Sequence, residues 1–165
     1  MIRNSISKFW IWYERHYSLN IGVASILFLW QLIHLYWLTT DVVLLRLTGQ
    51  SFFHPNGFWR FALIFVDYTE IPAIITTSLV YINELRKDFT YKSILYLFFL
   101  NTQWLHIFWI TDEFVVDQFS NTAKIVLPLW LSWTAICIDY LELPVIYDTL
   151  KRFIRQLMRV DNLVK

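Results

Sequence analysis

The sequence has little glycine, cysteine or charge for its length. Only three glycines and one cysteine occur among 165 residues, and charged residues make up 16% of the chain. Scarce glycine argues against close GxxxG packing of helices, which needs small residues at the contact. A single cysteine, Cys137, excludes an intrachain disulfide and argues against cysteine-ligated zinc or iron–sulfur sites. Phosphate loops, nucleophile elbows and the His-Glu-x-x-His motif are also missing, so no motif of a soluble enzyme is present.

Apolar residues fill most of the chain, with 57% hydrophobic residues and a mean hydropathy of +0.45. A bilayer core about 30 Å thick needs roughly 20 mostly apolar residues per helix. Four stretches meet this requirement and leave almost nothing for a soluble domain: 19–47, 58–82, 93–116 and 123–147. The sequence therefore predicts a single all-α integral membrane domain, 1–165, with four transmembrane helices.

The positive charges predict the orientation of these helices. Eleven of the 14 Lys and Arg residues precede the first span, lie between the second and third spans, or follow the fourth span. The other three are Arg46, Arg60 and Lys124. The positive-inside rule places both termini in the cytoplasm, and the aromatic segment 5–17 is expected at that interface. The net charge of +1 reflects topology and does not indicate nucleic-acid binding. The expected partners are the lipid bilayer and either a second copy or another membrane subunit.

An internal repeat links the two halves of the sequence. Residues 31–43 (QLIHLYWLTTDVV) align without a gap with 103–115 (QWLHIFWITDEFV), and 66–74 (VDYTEIPAI) align with 138–146 (IDYLELPVI). Both alignments have an offset of 72 residues, and the matched positions include His, Gln, Asp, Glu and Pro, which a membrane helix least needs. We therefore predict two tandem repeats of two helices each, about 20–86 and 92–158. An even number of helices per repeat gives parallel copies, and short connections give an up-down-up-down bundle.

The repeated polar residues fall near the middle of the predicted spans. With a rise of 1.5 Å per residue, both histidines and both Asp-x-x-Glu pairs lie at a similar depth. A charged side chain at the bilayer midplane costs at least about 2.5–3.5 kcal/mol, so these groups are expected to share protons, cations or water. Four carboxylates and two histidines are the ligand inventory of dinuclear four-helix proteins. The predicted metal ligands are His34, Asp67, Glu70, His106, Asp139 and Glu142.

Further polar residues surround this set. We predict supporting or vestibule roles for Gln31, Asp41, Tyr68, Gln103, Asp112, Glu113 and Tyr140. Pro72 and Pro144 remove helical partners from the carbonyls of Tyr68 and Tyr140, so both helices are expected to kink beside the acids.

The metal hypothesis has three alternatives. The oxygen-rich ligand set favours iron, with manganese or zinc as other candidates; as an enzyme, the protein is expected to oxidise a lipophilic substrate. The same cluster could serve a cation or proton transporter or channel, because intramembrane Asp, Glu and His mark such routes. A haem held by His34 and His106 and a purely structural polar network are the remaining readings.

Overall fold

The computed structural model describes residues 2–53, 56–110 and 129–164, and within these ranges the chain forms helices and short connections without a strand. This confirms the prediction of an all-α protein. The helices are α1 (Ile2–Arg15), α2 (Tyr17–Trp37), a π-helical segment (Leu38–Val43), α3 (Leu44–Thr48), α4 (Phe58–Lys87), α5 (Tyr91–Ile110), α6 (Leu129–Tyr140) and α7 (Glu142–Val164).

Three helical stretches are long and apolar enough to cross a membrane: Tyr17–Thr48, Phe61–Lys87 and Leu129–Arg159. They correspond to three of the four predicted spans, and the chain therefore has the features of a membrane protein. The remaining span, predicted at 93–116, coincides in part with α5, but its last residues lie outside the described ranges. That fourth span stays a prediction.

The distribution of polarity is inverted relative to that of a soluble domain. Large apolar side chains such as Ile26, Phe65 and Phe98 are more than 60% exposed, whereas Gln103 and Thr149 are completely buried. In water this arrangement would expose a large apolar surface, but lipid favours an apolar exterior and requires internal partners for polar groups. The structure is thus consistent with a lipid surrounding.

Packing places α2 between α4 and α7, while α5 packs against α4, α6 and α7. The side chains that these helices bury against one another include Phe28, Leu35, Ala73, Ile74, Tyr81, Leu100, Ile107, Ile136, Val145 and Ile146. The helices α2, α4, α5, α6 and α7 thus share one apolar core, and the polar residues of the candidate site lie on the same five helices.

The two predicted proline effects differ. Helix α4 continues through Pro72 without interruption, whereas the equivalent helix is broken at Leu141, three residues before Pro144. At this break the Leu141 N–H donates to the Ile138 carbonyl at 3.0 Å, which is a tighter turn than an α-helical one. The expected disturbance beside the second acid pair is therefore present as a break in the helix, while α4 absorbs its proline within a continuous helix.

Ion pairs close one end of the structure, which we call the terminal end because α1 and the second half of α7 lie there. Arg152 Nη1 lies 2.7 Å from Glu84 Oε1, and Arg152 Nε lies 2.6 Å from Asp148 Oδ2. Lys92 also pairs with Asp148. The opposite end, which contains the connection from α3 to α4, is called the loop end. Arg152 thus joins α7 to α4 at the terminal end.

Replacing Arg152 with Met is expected to lower stability, because Glu84 and Asp148 lose a shared partner. Removing one partner of a buried pair costs about 3–5 kcal/mol, and the 20% exposure of the Arg152 side chain reduces our expectation to about 2 kcal/mol. Thermal unfolding in detergent, followed by circular dichroism, measures the effect. Lys151→Met on the exposed face of α7 is the control, and an equal shift in both variants would contradict the assigned role.

Candidate metal centre

The candidate centre is built around His34, near the middle of the continuous 17–48 helix. His34 is buried, with only 5% of its surface exposed. His34 Nδ1 lies 2.5 Å from Asp67 Oδ1 of α4, and His34 Nε2 lies 3.6 Å from Asp139 Oδ2 of α6. With its proton on Nδ1, His34 donates a hydrogen bond to Asp67 and presents a lone pair on Nε2 toward Asp139.

Asp139 lies between the two histidine rings. Besides its approach to His34, its Oδ1 is 3.0 Å from His106 Nδ1 of α5. That distance is short, but the geometry is not that of a hydrogen bond, because His106 Nδ1 has no hydrogen-bond partner. The two imidazole rings are 5.6 Å apart at their centroids and inclined by 70°. Two imidazoles and one carboxylate thus converge on a single point.

A carboxyl pair adjoins this group. Glu70 lies one turn along α4 from Asp67, and Glu142 lies just beyond the helix break that follows Asp139. The two glutamates lie close enough to interact with each other, and both are 4% exposed. Glu70 also lies close enough to Asp67 and Asp139 to interact electrostatically with both. The structure therefore brings all six predicted ligands into one buried region, with the glutamates as a separate pair beside the histidines.

Several buried atoms in this region have no hydrogen-bond partner among the described residues. They are His34 Nε2, both ring nitrogens of His106, Asp139 Oδ2, Glu70 Oε1 and Glu142 Oε2. Leaving one such atom buried and unsatisfied costs about 1–3 kcal/mol, and more for a charged group. Because the unpartnered atoms point into one region, a bound cation or water would satisfy several of them together.

Two glutamines support the aspartates from neighbouring helices. Gln31 Nε2 donates to the Val66 carbonyl at 3.2 Å, and Gln103 Nε2 donates to the Ile138 carbonyl at 2.8 Å. Each carbonyl belongs to the residue immediately before Asp67 or Asp139. The glutamines thus hold the backbone beside the aspartates.

Two contacts around the centre recur at positions 72 residues apart. The pair Gln31–Val66 corresponds to Gln103–Ile138, and the approach of His34 to Asp67 corresponds to that of His106 to Asp139. The two approaches differ in detail, since only His34 makes a hydrogen bond to its aspartate. Matched sequence positions therefore carry matched contacts around the centre.

The predicted outer residues lie toward the loop end. Asp41 accepts hydrogen bonds from Ser51 Oγ at 2.5 Å and from Trp37 Nε1 at 3.2 Å. The Tyr140 hydroxyl lies 2.7 Å from Thr39 Oγ1 and links α6 to the π-helical segment. Tyr68 is half-buried in α4. Two further predicted residues, Asp112 and Glu113, lie outside the described residues.

Two polar partners were missing from the sequence-based set. Thr39 is the partner of Tyr140, and Ser51 is a partner of Asp41. Thr39 matches Thr111 at the repeat offset, so the internal alignment contained a signal for it. Ser51 lies in a connection outside the aligned segments, and no pattern in the sequence distinguishes it.

Comparison with known proteins gave no significant match to a protein family, to a curated protein or to a solved structure.

Replacing Gln103 with Leu is expected to destabilise the fold by about 0.5–1.5 kcal/mol, because the Ile138 carbonyl beside the helix break loses one of its two donors and keeps only the Leu141 N–H. Asn101→Leu is a matched control on the same helix, since the Asn101 side chain is exposed and bonds only to its own helix at Leu97. Thermal unfolding measures both. A loss of stability in Asn101→Leu as large as that in Gln103→Leu would count against the supporting role.

Proposed function

We propose that this chain is a membrane metalloprotein whose metal is held by His34, His106 and Asp139. One observation supports this assignment above all others. These three buried residues offer ligand atoms that all lie within 4.8 Å of one another. Two histidines and one carboxylate with open positions are the ligand set of non-haem Fe(II) oxygenases, so iron is the favoured metal, with manganese or zinc as alternatives.

The distances between the histidine and carboxylate atoms in the structure suit a metal ion bound between them. Nitrogen and oxygen ligands lie about 2.0–2.2 Å from zinc, so two ligands of a tetrahedral site are about 3.4 Å apart. His34 Nε2 and Asp139 Oδ2 are separated by 3.6 Å. Both atoms are buried and lack a hydrogen-bond partner, so coordination would satisfy them with little movement.

Asp67 receives a different role from the one expected from the sequence. It lies against His34 Nδ1, on the opposite side of the ring from the nitrogen that faces Asp139. A carboxylate in this position fixes the tautomer and the ring orientation of a metal-binding histidine and raises its basicity. In the proposed centre, Asp67 therefore positions His34 and does not contact the metal.

Glu70 and Glu142 form the proposed second position of a dinuclear centre. Their carboxyls face one another, and each keeps one buried oxygen without a partner. Two divalent cations would neutralise four carboxylates, which balances the charge of the cluster. Four carboxylates and two histidines are also the ligand inventory of dinuclear four-helix proteins, although those proteins carry a Glu-x-x-His motif on two helices and this chain carries Asp-x-x-Glu pairs with histidines from other helices.

The finer architecture follows from the same contacts. We propose that the two tandem repeats form a four-helix unit with a pseudo-twofold axis along the membrane normal and with the centre at midplane. Equivalent contacts at Gln31 and Gln103, and the histidine–aspartate approaches, support this symmetry. The proposed topology places both termini, and hence the terminal end, in the cytoplasm.

The chemistry that fits this centre is oxidation of a lipophilic substrate by dioxygen. The bound metal would supply one-electron redox chemistry, which the side chains do not provide. His34, His106 and Asp139 would hold the metal, while Asp67 would hold the His34 proton at Nδ1. Buried apolar side chains beside the centre, such as Leu35 at 5% exposure, would limit the amount of water around the metal, and the substrate would enter laterally from lipid.

Metal content tests the assignment directly. Protein purified in mild detergent without added metal is expected to contain about two metal ions per chain, as a dinuclear carboxylate centre requires. His106→Ala and Asp139→Asn should each lose the metal held by the histidines, whereas Glu70→Gln should lose only the second ion. Elemental analysis measures the content. His16→Ala is the control, because the His16 ring bonds to the Trp12 carbonyl far from the centre.

A metal content near zero in the unmodified protein would reject the proposal. A Soret band that disappears in His34→Ala would instead indicate haem.

Removing the metal is expected to lower the thermal midpoint, because metal binding to a folded site contributes to folding free energy. A membrane-permeant chelator should therefore shift the unfolding curve of the unmodified protein to a lower temperature. The Asp139→Asn variant, which lacks the ion, should show a much smaller shift. Identical chelator effects on both proteins would argue against a structural contribution of the metal.

A further inference from the structure

An apolar layer separates the candidate centre from the terminal end. Along α4, two helical turns lie between Glu70 and Thr77, and two turns of α7 lie between Glu142 and Thr149, which is about 10.5 Å at 1.5 Å per residue. In the middle of these turns lie four buried apolar side chains, each at most 6% exposed: Ala73, Ile74, Val145 and Ile146. Phe28 and Leu100, both completely buried, pack against the same layer.

Further polar side chains lie beyond this layer, and most of them are paired, although Thr77 Oγ1 has no hydrogen-bond partner among the described residues. Thr77 and Thr149 are completely buried, and the Tyr81 hydroxyl lies 3.3 Å from Thr149 Oγ1 and 3.1 Å from Asp148 Oδ2. The ion pairs of Arg152 then close the end. An ion moving from the terminal end to the centre would therefore have to break these pairs and cross an apolar layer that offers it no ligand.

Polar groups reach the centre from the loop end in shorter steps. Thr39 is five residues from His34, or about 7.5 Å of helix, and its hydroxyl is 2.7 Å from the Tyr140 hydroxyl. Asp41 follows within the π-helical segment and binds Ser51, which is partly exposed. The π-helical turn is itself a feature common at functional sites. The loop side thus has the Thr39 and Tyr140 hydroxyls within about two turns of His34, whereas on the terminal side two turns of buried apolar side chains follow Glu70 and Glu142 before the next buried hydroxyls.

We infer that the centre exchanges water and ions with the loop end and is sealed from the terminal end. In the proposed topology, this means access from the non-cytoplasmic side. The part of the inference that concerns metal ions rests on the proposed metal centre, whereas the part that concerns water does not. It also distinguishes the proposed function from transport, because a transporter needs access to both sides of its central site.

The first test does not depend on metal. In a Cys137→Ser background, Thr39→Cys and Thr77→Cys introduce the same group on opposite sides of the centre, in sealed vesicles of known orientation. A membrane-impermeant maleimide is applied at the loop end to label Thr39→Cys and, separately, at the terminal end to label Thr77→Cys. The labelling rate of Thr39→Cys is expected to be at least ten times the rate of Thr77→Cys. Lys151→Cys, which is exposed at the terminal end, controls for reagent access there. Comparable labelling rates for the two threonine positions would overturn the inference.

The second test follows the ion. Metal-loaded protein in sealed vesicles is exposed to EDTA, which does not cross membranes, on one side at a time. Loss of metal is expected only from the loop end. Asp41→Asn should slow reloading several-fold, whereas Asp88→Asn, which changes an exposed carboxylate beyond the end of α4, should not.

The outcomes of the second test separate two failures. Metal loss to EDTA at the terminal end overturns the sidedness while leaving the metal centre in place. Protein that binds no metal in any condition rejects the metal centre, and the labelling rates of Thr39→Cys and Thr77→Cys then decide the sidedness alone.

Discussion

The burial of four carboxyl groups beside only two histidines constrains everything else in this structure. The ion pairs of lysine and arginine in the described residues lie at the terminal end, where Arg152 joins Glu84 and Asp148. None of them reaches Asp67, Asp139 or the glutamates. Charge in the centre must therefore be balanced by the histidines together with protons or cations, because unpaired charges in a nonpolar surrounding are too costly. A bound divalent metal, as proposed, would satisfy this requirement and would also use the unpartnered nitrogen and oxygen atoms.

The remaining polar contacts keep this cluster in place. Gln31 and Gln103 bind carbonyls immediately before the two aspartates, so the position of each carboxyl is fixed through the backbone of its own helix. The helix break at Leu141 lies between Asp139 and Glu142, which allows the two acids to be oriented by different helical segments. Toward the terminal end, an apolar layer and then ion pairs isolate the cluster. Support, orientation and isolation are the properties that a reactive metal site requires of its protein.

The internal alignment predicted much of the site because it selected polar residues against an apolar background. His34, Asp67, His106 and Asp139 were identified by their common offset, and all four lie together in the structure. Periodicity could not show which imidazole nitrogen faces which carboxylate, because that depends on how the helices are rotated against one another. The same limit applies to the prolines, since equal sequence contexts produced a break near one and continuous helix at the other. The π-helical segment had no sequence signal, because its extra residue per turn is set by packing.

X-ray absorption spectroscopy at the edge of the bound metal tests the central claim most directly, because it reports which atoms surround the ion. The account predicts a first shell of only nitrogen and oxygen at about 2.0–2.2 Å, with the outer-shell scattering of imidazole rings. That outer-shell signal should weaken in His106→Ala. Sulfur in the first shell, or a spectrum without imidazole scattering in the unmodified protein, would contradict the assignment of His34, His106 and Asp139 as the metal ligands.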